Sequence, residues 1–146
     1  MSGRVNDAMR QRVAERAYHV CEHCLIHEDD TFWGCHIDHI ISRKHGGSSE
    51  LENLAFACAV CNANKGSDIS SLAGSPPKLT RLFHPRQDHW LENFHPVKNT
   101  IDFASEVGEA TAKLLQLNHP NRVEERDALS QVARYSTIEA LARMKE

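Results

Sequence analysis

Two Cys-x-x-Cys pairs, Cys21/Cys24 and Cys58/Cys61, separated by 33 residues, constrain this 146-residue chain more than any other feature. One such pair leaves redox and structural roles open, whereas two in a short chain read as the donor set of a four-thiolate zinc site. The gap is longer than an ordinary zinc ribbon allows, so the metal is expected to clamp the two ends of a sizeable insert. The fifth cysteine, Cys35, reads as a small buried apolar residue. The opening MSGRVNDAMRQR has no hydrophobic stretch, and the longest apolar run is the eight residues 54–61. Neither a secretory signal nor a membrane span is therefore expected, and the thiols are assigned to a reducing cytoplasm. The alternating strand and helix pattern of thiol redox proteins is not evident, which argues against a redox role.

The 40% apolar content rules out disorder and suits one compact domain, or a small one with an appendage. Net charge is −3, the wrong sign for binding nucleic acid through bulk electrostatics. The charge is unevenly placed. Residues 1–38 carry −3, residues 39–100 carry +2 and residues 101–146 carry −2. Any bound polyanion should face the middle third, held by specific contacts more than by a basic field.

Residues 3–20 read as an amphipathic helix, with Val5, Met9, Val13, Ala17 and Val20 at helical spacing. Residues 32–41, rich in aromatic and β-branched types, read as a strand ended by Gly46-Gly47-Ser48-Ser49, a loop needing positive φ or close backbone approach. Residues 54–57 return as a second strand, and residues 58–67 form a short helix stopped near Gly66. The Ser/Gly/Pro-rich stretch 69–80 is expected to be a linker, residues 94–103 a hairpin, and residues 105–117 and 121–144 two helices. The expected division is thus a zinc-stabilised core at 1–68, a linker at 69–80 and an extension at 81–146 that packs on the core.

Inside the bracketed insert lie Asp38-His39-Ile40-Ile41, then Gly46-Gly47, then Asn53-Leu54, and finally Cys58-Ala-Val-Cys61-Asn62-Ala-Asn-Lys65-Gly66. In order and spacing this closely resembles the HNH endonuclease family over residues 21–66. A softer resemblance, to the tail of a bacterial HNH subfamily, rests on Leu82-Phe83-His84-Pro85-Arg86 with Trp90, and on Gly108-Glu-Ala-Thr111 followed by Leu117-Asn118. The resemblance implies an α+β fold: a small ββα-metal (His-Me finger) core clamped by the four-Cys zinc site, with an N-terminal helix and a mostly helical extension. It further implies hydrolysis of DNA phosphodiester bonds, by nicking or by double-strand cleavage.

The chemistry asks for the same residues. Phosphodiester hydrolysis needs an activated water, a cation on the scissile phosphate and a relay for the leaving oxygen. An imidazole is largely neutral at physiological pH, so His39 beside Asp38 is the candidate base. Asp38 and Asn62 offer hard oxygens suited to Mg²⁺ or Mn²⁺. The family often carries histidine where Asn62 stands, so Mg²⁺ and Mn²⁺ are expected to support activity with little help from Zn²⁺ or Ni²⁺. Asn53 matches the asparagine that fixes the loop and orients the base, while Lys65 is expected to lie near the metal's face and meet a phosphate oxygen. Arg43 and Lys44 are candidate phosphate contacts or simply a solvated loop. Adjacent strand residues face opposite sides, so strand periodicity alone would favour His36 over His39 as partner to Asp38, whereas the resemblance favours His39. DNA is the expected partner and a homodimer is one route to double-strand cleavage. The rival reading is a zinc-stabilised DNA-binding or scaffold module with an inert site.

Overall fold

A computed structural model describes residues 5–146, so the first two residues of the helix expected over 3–20 lie outside the described residues. Helix α1 spans Asp7–Arg16, where the Asn6 side chain caps the Met9 amide at 2.9 Å. Its buried residues Val13 and Ala14, with Ala17 at its C-cap, pack with Leu54 and Phe56. Tyr18 and His19, both with positive φ, then turn the chain into a knuckle in which the Cys21 amide donates to Ile26 O at 2.9 Å.

Strand β1 (Cys35–His39) pairs antiparallel with β2 (Leu54–Cys58), with Cys35 opposite Cys58 and His39 opposite Leu54. The strand expected over 32–41 is shorter because Phe32 and Trp33 lie outside it, 84% and 72% exposed, and Gly34 adopts φ +74°. All five β2 residues are buried. Helix α2 (Ala59–Lys65) follows at once, with the Cys58 sulfur accepting from the Cys61 amide, and stops at Gly66. The resulting β1–β2–α2 unit is the ββα arrangement within an α+β fold.

The stretch 69–80 is not a linker. It folds back as a hairpin of β3 (Ser70–Ala73) and β4 (Lys78–Arg81), and its Gly-Ser-Pro-Pro sequence forms the turn between them. Ala73 packs with Leu82 and Ala110. The short helix α3 (Trp90–Asn93) leads into a hairpin of β5 (Phe94–Val97) and β6 (Thr100–Phe103), over the residues 94–103 where a hairpin is expected. Helix α4 (Glu106–Leu114) follows. The single helix expected over 121–144 is two, α5 (Pro120–Gln131) and α6 (Ile138–Met144). Between them Ala133 and Ser136 take positive φ, and the Tyr135 hydroxyl reaches Cys24 O at 2.8 Å. A tertiary bond to the knuckle thus accompanies a break in a segment with good helical pattern.

The main core unites both ends of the chain, joining Cys21, Cys24, Ile26, Cys58 and Cys61 to Phe83, Trp90, Phe94, Leu115 and Leu117. Trp90 is fully buried and its indole N–H donates to His23 O. Buried Glu22 accepts from the Phe56 amide at 2.8 Å, from Arg143 Nε at 2.8 Å and from Arg86. The tail residues Phe83, Arg86, Trp90 and Asn118 therefore buttress the knuckle and hairpins; Asn118 bonds both backbone groups of Ile101. Among the described residues no helix is long and apolar enough to cross a membrane.

Candidate active site and metal centre

The four cysteines of the two pairs lie with their sulfurs within 4.8 Å of one another, all buried. Four converging sulfurs at this separation fit the tetrahedral thiolate shell of structural zinc. Cys58 belongs to three structures at once: it pairs with Cys35, caps α2 and contributes to the cluster. The cluster therefore fixes where α2 starts relative to β1. Cys35, half-buried and outside the cluster, packs against the core, and burial pushes its thiol pKa well up.

At the other end of the hairpin, Ile37, Asp38, His39, Ser42, Arg43, Asn62 and Gly66 line a shallow cavity of about 300 Å³. Strand periodicity predicts that Asp38 and His39 diverge, yet both line it. The reason is local: β1 ends at His39, so the cavity forms where the sheet stops and both faces are within reach. His36 is exposed and is not among the cavity's lining residues.

The loop between the strands holds His39. Its ring Nε2 lies 2.9 Å from the Ser49 hydroxyl oxygen. Asn53 pins that loop: its side-chain oxygen accepts from Ile41 N at 2.9 Å, and its amide donates to Ile41 O at 2.9 Å and Ser48 O at 2.6 Å. Gly47 lets the loop close, since a Cβ there would lie 1.7 Å from Ile41 O. Asn53 is buried away from the cavity lining, so any effect on the reaction passes through the loop.

Lys65 differs from expectation. Its ammonium is buried and does not line the cavity; it donates to Asp38 Oδ1 and to His39 O, each at 3.2 Å. One turn after Cys61, α2 points this side chain down onto β1. Lys65 is thus a buried counter-ion of Asp38. Asp38 is only 5% exposed, and burial raises its pKa to about 6 despite the opposing charge of Lys65. Asp38 Oδ2 sits 3.2 Å from the same ammonium but has no hydrogen-bond partner among the described residues. That oxygen, which accepts no hydrogen bond, belongs with Asn62 to the residues lining the cavity, and two such oxygen-bearing side chains suit a hard cation. Burial, Arg43 and Lys65 together lower the pKa of His39, favouring the neutral ring. Arg43 lines the cavity, whereas Lys44 is exposed outside its lining.

Ser49 is not singled out by any spacing, and Arg122, whose guanidinium reaches the cysteine cluster, is 61 residues from Cys61. The strands β1 and β2 with helix α2 thus form a ββα unit with a four-sulfur cluster and an Asp-His pair at its strand end. Residues 21–68 match the family model described as HNH endonuclease, and this match suggests a nuclease or DNA-binding function. Comparison with curated proteins and with solved structures gives no match.

Proposed function

We propose that the protein is a divalent-metal-dependent HNH endonuclease that hydrolyses phosphodiester bonds in DNA, one strand at a time from a single site. The observation that carries this reading is the convergence of Asp38, His39, Asn62 and Arg43 on one cavity at the end of the ββα hairpin. Asp38 and Asn62 hold Mg²⁺ or Mn²⁺, which when bound supplies Lewis-acid stabilisation of charge on the phosphate and the leaving oxygen. Arg43 meets a neighbouring phosphate oxygen. His39 engages the Ser49 hydroxyl through Nε2; in the tautomer that carries its proton there, the other ring nitrogen is left to take the proton of the attacking water. Lys65 fixes the Asp38 carboxylate, and Asn53 fixes the loop that orients His39.

The test is incubation of supercoiled plasmid with the protein and Mg²⁺, Mn²⁺, Ni²⁺, Zn²⁺ or EDTA. Mg²⁺ or Mn²⁺ should convert supercoiled plasmid to open circles, and EDTA should stop the conversion; restoration by Ni²⁺ above Mg²⁺ would contradict the oxygen-ligand assignment. The burial of Asp38 against Lys65 favours one other reading, a DNA-binding module with an inert site. In that case plasmid binds without metal-dependent nicking.

The pH profile follows from the two shifts. Asp38 must be ionised to hold a cation, so protonation near its raised value of about 6 sets the acid limb, while the lowered pKa of His39 keeps the base neutral there. Raising Mg²⁺ should move the limb to lower pH, because cation and proton compete. Removing the Lys65 charge takes away the influence that opposes burial, so Lys65→Met should move the limb to higher pH. A limb that ignores both Mg²⁺ concentration and Lys65→Met would remove Asp38 from the metal site.

A further inference from the structure

Arg122 enters the four-cysteine cluster from α5. It is 6% exposed, its Nη1 donates to Cys61 Sγ at 3.7 Å, and its Nη2 donates to Cys58 Sγ at 3.6 Å and Cys61 Sγ at 3.7 Å. Four thiolates around one Zn²⁺ leave two negative charges, and burying them is costly unless a cation is paired with them. A guanidinium is suited to that pairing because its planar fork spans two acceptors at once. The fork is seated by the helix itself: His119 caps α5 and Arg122 falls in the first turn after Pro120. Among the described residues the other charged contact of Arg122 is Glu125, 3.6 Å from its Nε at the partly exposed side.

We propose that Arg122 is the outer-sphere cation of the zinc site, and that metal retention is thereby coupled to the seating of α5. The two sulfurs it contacts are those that start α2, so the same contact links the far helix to the element carrying Asn62 and Lys65. Hydrogen bonds to these thiolates stabilise their negative charge and lower their basicity, which disfavours the protonation that accompanies loss of the metal. The knuckle pair receives its long-range help differently: Tyr135 and Trp90 bond the carbonyls of Cys24 and His23, not a sulfur.

The test uses the full-length zinc-loaded chain and two variants, Arg122→Met, which keeps bulk without charge, and Arg122→Lys, which keeps charge without the fork. Zinc release to excess EDTA, followed by a colorimetric zinc dye, should be about 10–100-fold faster in the Met variant, the factor by which losing an outer-shell partner typically weakens metal affinity, with the loss falling on the release rate. The Lys variant should show a smaller acceleration. In the Co²⁺-substituted protein, the sulfur-to-cobalt charge-transfer band should move to lower energy in the Met variant and less so in the Lys variant. A purely packing role would leave this band unmoved. Wild-type release rates with an unmoved band in the Met variant would overturn the proposal. Should the Met variant fail to fold, a wild-type band and rate in the Lys variant would overturn it equally.

Discussion

His39→Ala is expected to lower Mg²⁺-dependent plasmid nicking by about 10²–10⁴-fold, the contribution usual for a positioned general base, while His36→Ala stays within a few-fold of the parent. The contrast has a geometric source. His39 is the last residue of β1 and lines the cavity with Asp38 and Asn62, whereas His36 projects into solvent outside that lining. The ring's hold on Ser49, in a loop pinned by Asn53, predicts graded losses behind the large one. Ser49→Ala should weaken nicking less than His39→Ala, because the imidazole survives without its orienting partner. Circular dichroism on each variant separates loss of chemistry from loss of fold. Nicking that survives His39→Ala and disappears with His36→Ala would reverse the assignment.

What a reader of the chain could foresee depended on whether the cause was local. The order of strand, glycine loop, strand and helix between the cysteine pairs is legible because each step is written in neighbouring residues. Gly47 is needed where the loop closes on Ile41, and Gly66 where α2 ends. The burial of Lys65 is not legible, for a different reason. Helical spacing puts it one turn beyond Cys61 but does not say which side β1 occupies, and its ammonium lies buried against Asp38. The 69–80 hairpin is not legible because Gly74 and Pro76-Pro77 mark a turn and a linker alike; the pairing of Leu72 with Leu79 distinguishes them. The contacts of Arg122 with Cys61, and of Tyr135 with Cys24, join residues 61 and 111 positions apart, and no spacing rule reaches that far. The site was therefore readable as a set of candidates, and its supporting contacts were not.

The second large effect concerns the clamp. Cys58→Ser is expected to abolish stoichiometric zinc and to lower the thermal midpoint by roughly 20 °C or more, or to remove the cooperative transition altogether. The magnitude follows from two scales. Structural zinc contributes on the order of 10 kcal/mol in small metal-folded domains, and a whole domain is stable by only about 5–15 kcal/mol. The substitution is chosen because serine is itself a favoured helix N-cap, so the hydroxyl can take over the cap that the Cys58 sulfur gives α2 while losing the thiolate. What fails is then metal holding and not helix initiation. Cys35→Ser, at a half-buried position outside the cluster, should keep one zinc per chain and shift the midpoint far less. Because Cys58 also closes the β1–β2 register and starts the helix bearing Asn62, zinc loss should remove nicking together with the fold, even at saturating Mg²⁺. Metal content by elemental analysis, a melting curve and plasmid nicking on the same samples decide it. A Cys58→Ser chain that retains one zinc and its parent's midpoint would mean that the four sulfurs are not what holds this hairpin to its helix.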